Sequence, residues 1–508
     1  MAMLVLTDLK RPARARLRSR LTAALTFPGL LIAVLLSVPI FVCGDRRGGT
    51  RILGDPDLWW HLRNADLLFS QHSFILRDLY SFTTLGKAWV NPEWLAEIFY
   101  FISFHLFGEL GIFLMLLCAF ELIVLGTLLL SYLRSQSWQA SFVATGGALF
   151  LALVNFGPRT ILFGWICFLV EAIILELFRR GHDDSAWLLI PLFMIWINLH
   201  GSWIIGFVFL VAFVAAGFLR RSWGYIEALP WNGMQRRKLL SITLASAAAL
   251  LVNPYGWRLI LNPFDMAFHQ KLNIGSIDEW KSVNFHMANG KFLFLIIATF
   301  AVLTLVRRRS WVLQDVLFAL MALYAGLTYV RFLFLIGLVV CPMFAVDLGD
   351  LFRSLRPQKT RPVLNAFLLS ALALGVYLRF PTTAILRKGI SESLPEQAIA
   401  RINTFSPKER IFNYYGWGGY MIWTARDHPV FIDSRTDIFE HHGVLADYLH
   451  AISLTNTLEV LDRYDIEYVF LPKDDPIIYL LRNTPGWKVN YQDGIAVIME
   501  RSAPHIKL

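Results

Sequence analysis

The sequence predicts an all-α polytopic membrane domain of about eleven transmembrane helices, followed by a small C-terminal α/β domain outside the membrane. Three observations carry this. First, 56% of the 508 residues are hydrophobic and only 17% are charged, against roughly 25% charged in a soluble chain. Second, apolar runs recur that are long enough to cross a hydrocarbon core of about 30 Å. Third, the last quarter of the chain turns polar and alternates short apolar strands with helical stretches. The net charge of +10 does not point to nucleic acid. The basic residues fall in short clusters between apolar runs, as cytoplasmic loops do.

Taken in order, residues 1–26 form a basic cytoplasmic N-terminus with Lys10, Arg11, Arg14, Arg16, Arg18 and Arg20. The first span is 27–43, read as uncleaved because no clear small-x-small site precedes a mature start. A polar external loop follows at 44–109. Within it, 92–107 is apolar but short for a span, since sixteen helical residues reach only about 24 Å. It also carries Glu93, Glu97 and His105, and so reads as a helix lying in the membrane interface.

The later spans are 110–132, 139–155, 160–178, 186–199, 202–218, 239–253, 291–306, 312–329, 332–347 and 363–379. This division places Arg134, Arg179–Arg180, Arg220–Arg221, Arg236–Arg237–Lys238, Arg307–Arg308–Arg309 and the basic 353–361 stretch on the cytoplasmic side. Counting 92–107 as a further span would move them outside, against the positive-inside rule. The transmembrane domain is thus 27–379, and 380–508 is a soluble extracytoplasmic domain. That domain should carry strands at 410–413, 429–432, 467–471 and 495–500, with helices at 443–451, 455–463 and 475–483. The four cysteines, Cys43, Cys118, Cys167 and Cys341, lie in or at the ends of apolar runs with no CxxC pair. They read as small hydrophobes, with no disulfide framework or zinc site.

The chemistry-bearing residues collect on the outer face. Gly54-Asp55-Pro56-Asp57-Leu58-Trp59-Trp60-His61 is a helix start: the carboxylate of Asp55 caps, and proline suits the first turn. Capping alone would account for Asp55. Asp57 and His61, four apart, share a helix face, and two carboxylates with an imidazole suit general-base work or metal binding. Asp78 and, after a second cap-and-proline start at Asn91-Pro92, Glu93 are candidates for substrate contact, as is Glu279 in the 254–290 loop.

Arg159, His200 and Arg331 sit at outer ends of spans. They can snorkel to headgroups or grip a carrier phosphate, for which the guanidinium fork is suited. Tyr415 and Trp417, in an aromatic-glycine run, with Asp433 and Arg435 beyond it, read either as a sugar or acceptor site or as a tight structural turn.

This layout resembles the GT-C superfamily of membrane glycosyltransferases, which includes protein mannosyltransferases, aminoarabinose transferases and oligosaccharyltransferase catalytic subunits. The carrying residues are Asp55-Pro56-Asp57…His61-Leu62-Arg63, similar to the acidic first-loop motif, and the interfacial helix from Trp94-Leu95 to Phe107-Gly108. Tyr415-Gly416-Trp417-Gly418-Gly419 is similar to the Trp-Trp-Asp-Tyr-Gly element of oligosaccharyltransferases. It lacks the tandem tryptophans and the aspartate, which points to an acceptor other than a protein sequon.

The resemblance implies a transferase in the bacterial inner membrane. It would take a sugar from a polyprenyl-phosphate or -diphosphate donor among the membrane lipids and pass it, with inversion, to a lipid, glycan or protein acceptor on the periplasmic side. It implies Asp55 as the base, with Asp57 next, and a divalent cation, Mg or Mn, at Asp55. A transporter or binding protein for lipid-linked saccharides would need repeats or broken helices around a midplane site. A surface-polysaccharide polymerase or ligase would carry its large loop late in the chain, and an inert assembly subunit has no use for these acids. None of these patterns is present.

Overall fold

The computed structural model describes residues 25–43, 51–152, 157–353 and 361–502. The basic residues of 1–24 and most of the 353–361 stretch lie outside the described residues.

The apolar runs form helices. They are α1 (Phe27–Cys43), α3 (Trp94–Ser135), α4 (Trp138–Ala152), α5 (Ile161–Arg179), α6 (Leu189–Leu199), α7 (Trp203–Ala216), α8 (Gly233–Ala249), α10 (Ala288–Arg307), α11 (Leu313–Thr328), α12 (Leu333–Arg353) and α13 (Pro362–Arg379). Among the described residues, five helical segments are long and apolar enough to cross a membrane: Trp94–Ser135, Ile161–Arg179, Ala288–Arg307, Val330–Arg353 and Pro362–Arg379. Between the apolar helices lie the more polar helices α2 (Pro56–Gln71) and α9 (Trp257–His269). The latter turns Trp257, Leu261, Phe264 and Phe268 outward, an apolar stripe at helical spacing.

Helix α3 is two helices joined at a sharp break. Gly108 takes φ 59°, ψ −141°, a conformation open to glycine and strained for any other residue. Beyond it the chain returns so closely that a Cβ on Gly111 would meet the Ser103 carbonyl oxygen. Residues 94–107 are therefore a separate helix from the run after Gly108, beginning two residues later than the 92–107 expected from the sequence.

At the far end of α3, Arg134 and Arg179 converge on Asp315, the latter at 2.8 Å, while Arg179 and Arg180 hold Glu176 at 2.7 and 2.9 Å. Arg309 reaches Asp350 at 2.9 Å. The first group binds α3, α5 and α11 together, and the Arg309 pair ties α12 to the segment that follows α10. Beside them lies a small sheet in which β1 (Arg221–Trp223) runs antiparallel to β2 (Ile226–Ala228), and β2 parallel to β3 (Trp311–Val312).

The C-terminal part is built on a four-stranded sheet of order β4-β5-β7-β6: Ile411–Asn413, Tyr468–Pro472, Ala496–Arg501 and Trp487–Gln492. The first pair is parallel and the others are antiparallel. Residues 429–432, expected as a strand, make only single bridges through Val430, to Ile411 and to Ser81 of the first loop. Residues 487–492 supply a strand not expected from the sequence, because none of its side chains is fully buried and it lacks a continuous apolar run.

The C-terminal part is docked on the first loop. Helix α16 (Tyr415–Thr424, counting α14 as Thr383–Ser393 and α15 as Glu396–Ile402) packs on α2. A Cβ on Gly419 would stand 2.2 Å from the Pro56 carbonyl oxygen, and one on Gly418 2.3 Å from the Ile432 carbonyl oxygen. The paired glycines are thus required for close backbone approach on both sides. Tyr420 meets Trp59 edge-on at 4.9 Å, Thr83 donates to the Phe431 carbonyl at 2.7 Å, and Val430 N–H donates to the Tyr80 carbonyl at 2.9 Å.

Candidate active site

Helix α2 begins as its sequence dictates. Asp55 is the N-cap, its Oδ1 accepting the Asp57 N–H at 3.0 Å, and Pro56 occupies the first turn. Asp57, one residue inside the helix, lines a cavity of ≈ 230 Å³ together with Glu93, Arg159, His200, Glu279, Arg331, Tyr415 and Arg435. Eight of the thirteen residues singled out from the sequence therefore share one cavity, although they come from the first loop, the ends of apolar helices, the 254–290 loop and the C-terminal part.

Asp55 lies just behind Asp57. Its second carboxylate oxygen accepts Arg159 Nε at 3.1 Å, and Arg159 also contacts Glu279 through its terminal nitrogen. Burial, and then the neighbouring Asp57 charge, push the Asp55 carboxyl above its ordinary value against the pull of Arg159. Arg331 lies over the face of Trp280, its guanidinium carbon 4.1 Å from the ring centroid, a cation–π contact that orients the fork.

His200 sits between α6 and α7. Its Nδ1 accepts the Ser202 N–H at 2.9 Å, so the ring proton is on Nε2, which faces Glu93 at 3.5 Å. Burial, then Arg331 and His61, push this imidazole down to about 3. His200 is therefore a neutral hydrogen-bond donor aimed toward the cavity.

His61 does not line the cavity. It is buried behind Glu93, tilted against Trp60 at 3.7 Å and stacked parallel to Tyr100 at 6.0 Å. Nδ1 meets Glu97 at 3.0 Å and Nε2 faces Glu93 at 3.4 Å. Burial opposes its charge, but the two carboxylates outweigh burial and raise its pKa. Glu97 also accepts from Asn64 at 2.8 Å and Asn91 at 2.9 Å. Sequence reading places Glu97 only on an interfacial helix; its position as a polar hub depends on partners 33 and 36 residues away.

Asp78 is fully buried away from the cavity. It caps a turn, accepting from Tyr80 N–H, Ser81 N–H and the Ser81 and Thr84 hydroxyls, and pairs with Arg435 at 2.8 Å. Arg435 in turn grips Asp433 bidentately at 2.9 and 2.6 Å. Its guanidinium lies 4.9 Å from both the Tyr80 and Trp89 rings. Trp417 packs on Phe470 at 4.9 Å inside the C-terminal core rather than facing the cavity.

Asp437, which sequence reading passes over, lines the cavity and accepts from Trp89 Nε1 at 3.2 Å. Burial pushes its carboxyl up to about 7. Trp60 Nε1 donates to Ser434 at 2.9 Å and lies 3.3 Å from Asp57 Oδ1, fixing Asp57 against the C-terminal part.

The expected divalent cation at Asp55 does not fit this donor set. Both Asp55 oxygens are engaged, one by a backbone N–H and one by a guanidinium, and that guanidinium stands between Asp55 and Glu279. Among the described residues there is also no group of three or more His, Cys, Asp or Glu side chains placed to hold a metal ion.

No protein-family model matches the chain, and no curated protein matches it in sequence. Solved structures do match. The oligosaccharyltransferase of Archaeoglobus fulgidus, tethered with an acceptor peptide containing the NVT sequon, superposes with a TM-score of 0.54 at 14% identity, covering 87% of this chain and 68% of that one. The same archaeal enzyme, AglB, in complex with an inhibitory peptide and a dolichol-phosphate gives 0.54 at 12% identity, covering 87% and 69%. ArnT from Cupriavidus metallidurans bound to undecaprenyl phosphate gives 0.48 at 13% identity, covering 92% and 97%. The chain therefore shares the fold of the archaeal oligosaccharyltransferase, one of the proteins its first loop resembles.

Proposed function

We propose that this protein transfers a sugar from a polyprenyl-phosphate or -diphosphate carrier to a lipid, glycan or protein acceptor on the extracytoplasmic face of the membrane. One observation carries the reading. A carboxylate on the first-loop helix, Asp57, and two phosphate-suited donors at helix ends, Arg331 and the neutral His200, line the same cavity. The archaeal fold relative whose complex holds a dolichol-phosphate supports a lipid-linked donor.

In this reading Asp57 accepts the proton of the attacking acceptor group as its atom bonds to the anomeric carbon. The bond from that carbon to the carrier phosphate breaks, and its electron pair leaves on the phosphate oxygen. Arg331 and His200 Nε2–H stabilise that developing charge. Attack from the face opposite the leaving phosphate inverts the anomeric centre. Glu93, held by His61, orients His200. Arg435 and Asp433 hold the C-terminal wall, and Tyr415 and Asp437 face the acceptor.

The topology that goes with this has eleven spans, the 94–107 helix and α9 lying in the outer interface, and residues 380–508 outside. The grouping of the helix-end residues supports it. Residues assigned to the outer face meet at the cavity, and the basic clusters assigned to the cytoplasm meet acids at the other ends of the same helices.

The test is transfer in proteoliposomes holding a polyprenyl-phosphate donor with a radiolabelled sugar. Wild type releases the sugar from the carrier, and Arg331→Ala lowers the rate by about 10²–10³-fold, as loss of one charge-stabilising donor does. Movement of an intact sugar–phosphate across the bilayer, with no cleavage, would replace this reading by transport.

A further inference from the structure

We propose that Arg159 is the built-in cation of this site: its guanidinium takes the place between Asp55 and Glu279 that two opposed carboxylates would otherwise give to a divalent metal, so that transfer needs no metal ion. The inference rests on the transferase reading for one of its arms only. Two carboxylates from different parts of the chain, one at the start of α2 and one in the 254–290 loop, face each other across the cavity wall. Unneutralised, they would repel, and with Asp57 and Glu93 alongside they would form a strongly negative pocket that attracts divalent cations.

Arg159 removes that attraction. It donates from Nε to Asp55 Oδ2 at 3.1 Å and contacts Glu279 Oε1 through a terminal nitrogen. The remaining Asp55 oxygen is fixed on the Asp57 N–H. The arginine is delivered by Gly157-Pro158, with its own N–H turned to the Gly157 carbonyl at 2.7 Å, just before α5 begins. The Asp55 side chain is 9% exposed, and those of Arg159 and Glu279 are 33% and 31% exposed, so the bridge closes the deep side of the wall and leaves its rim to solvent.

A planar fork with a permanent charge is suited to holding two carboxylates apart at fixed angles. It supplies what a metal would supply structurally, namely charge balance and orientation of the loop carrying Glu279 and Trp280, and through Trp280 of Arg331. Arg159 is in this view a positioning residue, and the carrier phosphate is left to Arg331 and His200.

The experiment uses the full-length protein in nanodiscs and has two independent readouts. Thermal unfolding is followed during MnCl2 titration for wild type, Arg159→Ala and Arg159→Ala/Glu279→Gln. Wild type should show no saturable upward shift of Tm. Arg159→Ala should gain one, and the double variant should lose it again. In the transfer assay, treatment with EDTA should leave the wild-type rate unchanged, while Mn2+ should restore part of the rate lost in Arg159→Ala, which a merely structural arginine would not permit.

The proposal is overturned if wild type binds Mn2+ saturably and Asp55→Asn abolishes that binding, if EDTA removes wild-type transfer and Mn2+ restores it, or if folded Arg159→Ala gains no Mn2+ response. Should Arg159→Ala fail to accumulate, the wild-type titration and chelation decide the matter. If no transfer from a polyprenyl donor is found at all, the transferase reading fails while the Mn2+ titration still tests the role of Arg159.

Discussion

Replacing Arg435 by Met probes what fastens the C-terminal part over the cavity. Arg435 is 3% exposed and touches two carboxylates that are each 0% exposed, Asp433 through two bonds and Asp78 through one. Methionine fills much of the same volume and retains the apolar contact with Tyr80 and Trp89, so the change isolates the charge. It leaves two buried carboxylates facing each other without a cation. Breaking a buried pair by removing one partner costs about 3–5 kcal/mol, which is roughly 10²- to 10³-fold or more in the equilibrium between docked and undocked forms.

The pH dependence gives the sign. Burial alone would raise the Asp78 carboxyl, but Arg435 and the Ser81 hydroxyl outweigh it and hold it below its ordinary value. In wild type this contribution is present above the unfolded pKa and is lost as pH falls through the lowered folded one. Without Arg435 burial dominates, the folded pKa rises, and protonation relieves the strain as pH falls. Limited proteolysis between residues 380 and 410, with thermal unfolding at pH 5 and pH 8, should therefore show Arg435→Met opened relative to wild type, with the deficit smaller at pH 5. A variant as stable as wild type at pH 8, or a deficit that grows on acidification, would refute the reasoning.

Four other outcomes follow from the same geometry. Cysteine placed at 136 should resist an impermeant thiol reagent applied from outside while cysteine at 440 reacts, and the reverse would reject the topology. Arg331→Lys should recover little of the transfer lost in Arg331→Ala, because lysine lacks the fork; activity near wild type would make Arg331 a headgroup anchor. Asp437→Asn should stabilise the protein more at pH 8 than at pH 5 in thermal unfolding, because burial pushes the Asp437 carboxyl up to about 7, so the wild-type penalty grows as pH rises from the ordinary carboxylate value and is complete only above about 7. His61→Gln should remove a stabilising contribution that wild type has at low pH and loses as pH rises through the raised folded pKa of His61, so its Tm deficit should shrink toward alkaline pH.

The parts of this molecule that were legible in the sequence are those set by local chemistry. Asp55-Pro56 announces a helix start, and the structure has the cap and the proline where that chemistry requires them. The apolar runs announce helices, and the charge clusters separate 94–107 from the helix that follows, which the positive φ at Gly108 accomplishes. Residues at outer helix ends were also legible as a group, and they meet at one cavity. What was not legible depends on partners distant in sequence. Tyr415-Gly416-Trp417-Gly418-Gly419 reads as aromatic and glycine-rich, but only the approach of Ile432 and Pro56 explains Gly418 and Gly419. His61 reads as a cavity imidazole, and only Glu93, Glu97 and Tyr100 show it to be buried one layer back. The motif Asp433-Ser434-Arg435 reads as a possible sugar site, and it takes Asp78, over three hundred residues earlier, to show an ion-pair clamp.

The assignment of the base turns on Asp55 and Asp57, which the resemblance ranks in that order and the geometry in the other. Asp55 has both oxygens engaged, by the Asp57 N–H and by Arg159, and does not line the cavity. Asp57 lines it, with Oδ1 only 3.3 Å from Trp60 Nε1. A base must reach the proton it removes, and reach precedes pKa in deciding the candidate. Asparagine separates the roles in both cases. At 55 it caps about as well as aspartate and removes only a partly exposed ion pair, so transfer should fall modestly through loosened positioning of Arg159, with the loss spread over kcat and KM. At 57 it preserves shape and the contact with Trp60 but abolishes basicity, which typically lowers the rate by about 10²–10⁴-fold. That loss should appear in kcat with KM little changed, since the carboxylate acts on the acceptor proton and not on donor binding. Both variants should unfold within a few degrees of wild type, which excludes misfolding as the cause. The opposite result, Asp55→Asn inactive in kcat and Asp57→Asn near wild type, would place the base at Asp55 and require Arg159 to release it during turnover. Wild-type transfer in both would remove the first loop from the chemistry and leave it as a helix start that carries one wall of the cavity.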